Sequence, residues 1–160
     1  MPLTPQMQAV LEAMRKAGLK PVEDLTPVEA RAQFAAMIAS RRTTVTAVAG
    51  TEDRHLSADG RDIPVRLYWP GRQGPLPAVI YCHGGGHVIG NIDTHDDVTR
   101  VYCAGADALV ISVDYAKAPE HKFPAAVEDV HAVIDWLHAN AAALNVDPMR
   151  IALAGDSAGA

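Results

Sequence analysis

Three short runs without a polar break constrain this chain more than anything else in it. They are Ala78-Val79-Ile80-Tyr81-Cys82, Ala108-Leu109-Val110-Ile111 and Ile151-Ala152-Leu153-Ala154. A strand with one wet face alternates apolar and polar residues, whereas a continuous apolar strand is buried on both faces and belongs to a parallel sheet. Parallel strands need crossover connections, usually helical ones. The sequence between the runs supplies them. Thr94 is a suitable cap for a helix carrying Val98, Val101 and Tyr102 on one face. Pro124 can open another, with Val127, Val130, Ile134 and Leu137 at helical spacing. Strand-helix-strand-helix-strand predicts an α/β fold with right-handed crossovers. Ligands in such sheets bind beyond the carboxyl ends of the strands.

The chain before these runs has a different character. Residues 44 to 70 read as two strands, the second with Ile63, Val65, Leu67 and Trp69 alternating with Asp62, Pro64, Arg66 and Tyr68. That alternation predicts an antiparallel strand with one wet face, and Asp59-Gly60 predicts the hairpin turn before it. Residues 1 to about 42 read as helical. Thr4-Pro5 is a cap followed by proline, Met7, Val10, Leu11 and Met14 make a stripe, and Gly18 ends the helix. Thr26-Pro27-Val28-Glu29 is a capping box, and Phe34, Met37 and Ile38 form the next stripe. By pattern alone these are two packing helices at a domain edge; a lid over a site is the alternative.

A chain of 160 residues is long enough for one domain with a real core. The net charge of −5 offers no footprint for nucleic acid or an anionic membrane. Cys82 and Cys103 lie inside apolar segments without metal-type spacing, which predicts buried free thiols. The first ten residues lack a basic stretch followed by an apolar one, and no apolar run approaches the ~20 residues of a membrane span. A cytoplasmic protein is the expectation.

The chemically suggestive residues fall at the strand ends. The first apolar run leads into His83-Gly84-Gly85-Gly86-His87-Val88-Ile89-Gly90. Three consecutive glycines cost backbone entropy and predict a loop that turns its N–H groups toward one point. In acyl transfer such donors stabilise the oxyanion of a tetrahedral intermediate. The glycine spacing is not that of a dinucleotide fingerprint, and no Gly-Lys-Ser/Thr follows it. The last apolar run leads into Gly155-Asp156-Ser157-Ala158-Gly159. Gly-x-Ser-x-Gly after a strand is the pattern of a nucleophile on a sharp strand-to-helix turn, with glycines where the chain passes close by. Glu128, His131, Asp135 and His138 share a helical face in the manner of a metal stripe. That face opposes the apolar one, so a solvated face is expected.

Together these motifs resemble those of the hormone-sensitive-lipase-like esterases, a group with the α/β-hydrolase fold. The resemblance extends to Asp114-Tyr115-Ala116-Lys117-Ala118-Pro119-Glu120-His121, to Phe123-Pro124-Ala125-Ala126 with Asp129, and to Thr94-His95-Asp96. It runs from about residue 45 to the end. It implies Ser157 as nucleophile, with Gly84, Gly85 and Ala158 supplying oxyanion N–H groups. It implies that His83 holds the loop rather than acting as base, and that residues 1–42 form a helical cap segment before the N-terminal, incomplete part of a catalytic domain from 43 to 160. The Asp156 side chain is expected to point away from the nucleophile, and His55 and His95 have no assignable partner. The chain departs from the family at His87, where an aromatic or apolar residue is common, at Ala116-Lys117, and at Ala160.

In this fold the triad follows the order Ser, acid, His, so both partners of Ser157 are expected beyond residue 160. A chain truly ending at Ala160 is expected to turn over no substrate and to fold poorly, with a sheet edge and apolar helix faces uncovered. The expected activity is hydrolysis of short-to-medium acyl esters through an acyl-enzyme, with no metal or cofactor. The expected partner is a small ester, with no nucleic acid and no membrane span, and a homodimer is compatible. Two other readings stay open. One is a small-molecule receptor on the same fold, as in the plant gibberellin receptors, which have lost the catalytic histidine. The other is an amidase or deacetylase with the same triad.

Overall fold

The computed structural model describes residues 2–41, 44–58 and 60–160. Five strands form one mixed sheet: β1 (Gly50–Ala58), β2 (Arg61–Trp69), β3 (Leu76–Cys82), β4 (Leu109–Val113) and β5 (Val146–Gly155). The spatial order is β1-β2-β4-β3-β5. β1 and β2 pair antiparallel, β2 meets β4 antiparallel, and β4, β3 and β5 are parallel. The three apolar runs are therefore the three parallel strands, as their lack of alternation requires.

Among the described residues, four α-helices accompany the sheet. α1 (Pro5–Lys16) and α2 (Pro27–Arg41) precede it, α3 (Asp96–Ala106) joins β3 to β4, and α4 (Ala125–Asn140) joins β4 to β5. α4 covers one face, where Val133 and Leu137 pack with Ile63, Val65, Ile80 and Ile111. α3 covers the other, where Cys103 packs with Tyr68, Tyr81 and Val110. All five residues of β4 are buried, the consequence of lying centrally with a helix on each side. Both cysteines are free and buried, and burial pushes each thiol up to about 11.

Several local expectations change. The second strand of the hairpin is not wet along its whole outer face. Tyr68 is fully buried, because α3 reaches that end of β2 and Asp96 accepts a 2.9 Å hydrogen bond from the Tyr68 hydroxyl. The proposed apolar stripe of α3 points outward: Val98, Val101 and Tyr102 are exposed, while Thr99 and Cys103 face the sheet. Thr94 does not cap α3. It sits in a 3-10 turn at Asp93–His95, where its hydroxyl donates to the Asn91 carbonyl and its N–H donates to the Asn91 side chain. In α4 the buried line is Asp129, Val133 and Leu137, with Val127 exposed. Asp59 of the expected hairpin turn lies outside the described residues, as do Arg42 and Thr43 at the expected domain boundary.

The N-terminal helices form as their caps dictate. The Thr4 hydroxyl accepts from Met7 N–H, and Thr26 and Glu29 exchange reciprocal bonds. α1 nevertheless buries no residue, and its Met7 and Val10 are exposed. α2 packs across the 3-10 turn, with the Phe34 ring 6.2 Å from that of His95. Among the described residues no helix is long and apolar enough to cross a membrane.

The burial pattern sets a contrast in stability. Ile111→Ala, in the centre of β4, should cost about 2–5 kcal/mol. Val101→Ala, on the outer face of α3, should stay within about 0.5 kcal/mol. Urea unfolding followed by circular dichroism measures both.

Candidate active site

Three parallel strands deliver their carboxyl ends to one edge of the molecule. β3 ends in the glycine loop, β4 ends before Asp114 and Tyr115, and β5 ends at the serine. Ser157 has φ +52, the left-handed region that a serine rarely adopts, and its side chain is exposed. Among the described residues its Oγ makes no hydrogen bond. A Cβ on Gly155 would lie 2.1 Å from the Gly159 carbonyl oxygen, and one on Gly159 would lie 2.1 Å from that of Cys82. The two glycines thus let the serine turn fold on itself and press against the end of β3. This is the close approach that Gly-x-Ser-x-Gly spacing predicts.

The glycine loop is tied to the serine turn by the carboxylate of Asp156. The Asp156 side chain makes no bond to Ser157 and reaches instead to the neighbouring loop. Its Oδ1 accepts from Gly84 N–H at 2.8 Å and from the Tyr81 hydroxyl at 2.7 Å, and His95 Nε2 lies 3.5 Å from it. Burial pushes the Asp156 carboxyl up, but the bonds from Tyr81 and Gly84 outweigh it and hold the carboxyl below its ordinary value. Burial lowers the His95 imidazole, with Asp156 acting in the opposite direction. His95 therefore does have a partner, although it lies 61 positions along the chain, where no local pattern could reveal it.

Gly84 is consequently committed. Its N–H, expected to face an oxyanion, is held by Asp156, and its lack of a side chain makes room for the same carboxylate, 2.2 Å from where a Cβ would sit. Gly85 has φ +129 and Gly86 φ +61. Among the described residues, no protein acceptor takes the N–H of Gly85, Gly86 or Ala158.

His83 is fully buried beneath the loop. Its Nδ1 lies 2.8 Å from the Gly84 carbonyl oxygen, which can only accept, so this nitrogen carries the proton. The ring stacks on Tyr115 at 4.4 Å and on His95 at 5.3 Å. The Tyr115 hydroxyl donates to the His83 carbonyl. Asp114 lies 3.6 Å from His83 Nε2 and accepts from Lys117. Burial raises the Asp114 carboxyl, but His83 and Lys117 outweigh it and hold the carboxyl below the usual range. His87 has φ +58, is exposed, and lines the groove beside the serine. Elsewhere His55 is exposed and lies 2.7 Å from Asp62, and Glu128, His131, Asp135 and His138 form the exposed face of α4.

An apolar groove of about 560 Å³ runs from the serine turn between β5 and α4. Cys82, Tyr115, Val130, Leu153 and Ala158 line it together with His87. It is large enough for an acyl chain of a few carbons and presents few polar groups to one.

This arrangement of strands, glycine loop and serine turn is that of an α/β-hydrolase. The alpha/beta hydrolase fold family matches residues 79–160, just over half of the chain. Carboxylesterase NlhH of Mycobacterium tuberculosis is 54% identical over 110 residues, covering 68% of this chain and 34% of that protein. The ethyl acetate hydrolase of Pseudomonas putida is 38% identical over 170 residues, covering 99% of this chain and 52% of its own length. The structure of a hyperthermophilic esterase from the archaeon Pyrobaculum calidifontis superposes with a TM-score of 0.86 at 41% identity, over 99% of this chain and 51% of that one. The chain thus belongs to the α/β-hydrolase fold family, within its hormone-sensitive-lipase-like branch. It spans between about a third and about half the length of these relatives.

Two outcomes follow from the geometry. Gly155→Ala places a methyl against the Gly159 backbone, so it should lower the melting temperature by several degrees. Gly105→Ala in α3, where a Cβ meets nothing within 4 Å, should leave it unchanged or slightly raised. Differential scanning calorimetry compares them. For Asp156, a carboxyl held low in the fold adds stability above its unfolded pKa of about 3.9, and that stability is lost as pH falls toward the folded value. Asp156→Asn should therefore destabilise the protein at pH 6 and flatten the acid limb of stability against pH below about 4. Urea midpoints across that range read it out.

Proposed function

We propose that the protein containing this chain is a serine carboxylic-ester hydrolase that works through an acyl-enzyme. The observation that carries the reading is Ser157, exposed at φ +52 on a turn pressed against a glycine loop whose Gly85 N–H is uncommitted. The names of the relatives, carboxylesterase and ethyl acetate hydrolase, support the same chemistry. In this reading Ser157 Oγ bonds to the ester carbonyl carbon while its proton passes to a histidine base. The carbonyl oxygen takes the negative charge and is met by the N–H groups of Gly85 and Ala158. Gly86, next on the loop, takes the place expected of Gly84, whose N–H is held by Asp156. The carbon–oxygen bond to the alcohol then breaks, and the alcohol leaves with the proton from the histidine. Water repeats the sequence in reverse, releasing the acid and restoring Ser157.

The base and its carboxylate belong, in this proposal, to the part of the family's length that residues 1–160 do not cover. The apolar groove supports acyl groups of short to medium length, with the polar edge of His87 at its lip. The helices of residues 2–41 serve as part of a cap over the groove. Two unpaired buried thiols accord with a cytoplasmic setting.

The test is labelling of the whole protein with a serine-directed phosphonate, the adduct being located by mass spectrometry. One adduct per chain on Ser157 is expected, with none in Ser157→Ala. Ser157→Ala should also lower kcat for a p-nitrophenyl ester by about 10³-fold or more. A folded wild-type protein that neither labels nor hydrolyses would sink the proposal. Faster turnover of a matched amide than of the ester would move it to the amidases.

A further inference from the structure

We propose that Arg31 of α2 is a positioning residue that fixes the far end of the glycine loop against the 116–121 loop, and so sets the oxyanion donors relative to Ser157. The catalytic part of this inference rests on the esterase reading above.

The contacts of Arg31 are unusual for a residue on a cap helix. Its Nε donates to the Val88 carbonyl at 2.7 Å. Its Nη2 donates to the Ala118 carbonyl at 2.8 Å and to Glu120 Oε2 at 2.7 Å, and its Nη1 donates to Glu120 Oε1 at 2.8 Å. One side chain thus joins three segments separated by 57 and by 87–89 residues. Both residues adjoin His87, Val88 along the chain and Ala118 through its N–H. The His87 carbonyl accepts from Ala118 N–H at 2.8 Å, and the N–H groups of Val88 and Ile89 both donate to the Gly85 carbonyl. The turn from Gly85 to Ile89 is therefore closed on itself, pinned to Ala118, and clasped from outside by Arg31. Gly85, Gly86 and His87 all have positive φ, so this stretch has little intrinsic preference for its shape and needs outside contacts to hold it.

The ion pair alone does not explain the arrangement. The Arg31 and Glu120 side chains are 28% and 50% exposed, and charge pairs at such positions contribute little to stability. The specific element is the planar fork: Glu120 takes it bidentately and thereby orients the remaining donors at two backbone carbonyls. A lysine could pair with Glu120 but could not reach both carbonyls in fixed geometry. Misplacing a reacting group by about 1 Å costs on the order of 10²-fold in rate.

The experiment compares Arg31→Ala, Arg31→Lys and Glu120→Gln in the whole protein. Steady-state ester hydrolysis, phosphonate labelling of Ser157 and amide hydrogen exchange resolved by segment are measured on each. Arg31→Ala should lower kcat by about 10- to 100-fold with KM changed less than about 3-fold, and should slow labelling in parallel. Exchange should quicken in residues 84–90 and 116–121 and not in the sheet. Arg31→Lys should recover only a small part of the rate, and Glu120→Gln, which keeps both carbonyl contacts, should be milder than either. Unchanged kcat, full recovery by lysine, or quickened exchange throughout the sheet would each overturn the proposal. If the wild type itself neither hydrolyses nor labels, the esterase reading fails and exchange decides the clasp. Quickening confined to the two loops in Arg31→Ala supports loop positioning, and no quickening there overturns it.

Discussion

The site depends on one carboxylate. Asp156 immediately precedes the serine, yet its bonds reach back to Gly84 and Tyr81 on the neighbouring strand's end. Without it the serine turn would meet the end of β3 only through the close backbone approach at Gly159, with no hydrogen bond to the glycine loop. With it, any movement of one is transmitted to the other through 2.7–2.8 Å contacts. Each contact also favours the ionised carboxylate, which explains why this acid stays low despite its partial desolvation. His95, stacked between this carboxylate and His83, completes a packed aromatic and polar layer below the loop.

That layer accounts for the glycines more fully than conformational freedom does. Gly84 is small because Asp156 occupies the space of its Cβ, and Gly90 because the Gly84 carbonyl oxygen at 2.4 Å and the His83 ring, with Nδ1 at 2.7 Å, crowd the space of its Cβ. Gly155 and Gly159 are small because the backbones of the serine turn and of β3 meet there. Gly86, by contrast, has nothing within 4 Å, and only its φ of +61 calls for glycine. The same residue type thus answers to two different constraints within one loop.

The sheet was legible in the sequence because burial on both faces leaves an unmistakable trace: three runs without alternation became β3, β4 and β5. Cap chemistry was equally readable where it is local, as at Thr4 and in the Thr26–Glu29 box. Helix faces were harder. α3 carries Val98 and Val101 outward and Thr99 inward, because Thr99 returns its hydroxyl to the carbonyls of its own helix and is thereby satisfied inside. Periodicity counts apolar residues and cannot see a polar group that is bonded locally. The site was legible as two motifs but not as one device. Asp156 and Gly84 are 72 residues apart, and nothing at either position announces the bond. Arg31 lies 57 residues from Val88 and 87–89 from Ala118 and Glu120, in a segment whose own stripe said only that it was a helix.

The histidines illustrate why residue type is weaker evidence than environment. Seven are present, and a hydrolase with an activated serine needs one of them or another as base. His83 adjoins the glycine loop, but its Nδ1 proton is directed to the Gly84 carbonyl and its ring is sealed between Tyr115 and His95. His95 faces Asp156, and burial opposes the charge it would need to accept as a base. His55 lies beside Asp62 on the outer hairpin, and His131 and His138 are solvated on α4. His87 borders the groove, yet it is carried on the turn that Arg31 clasps, so its position follows the shape of the glycine loop rather than that of the serine turn. His121 is exposed, so each of the seven imidazoles is accounted for by a structural partner, by solvent or by the groove's edge. In the esterase reading proposed above, this platform would present Ser157 to the ester beside the N–H groups of Gly85 and Ala158, and the proton acceptor would come from a different part of the fold.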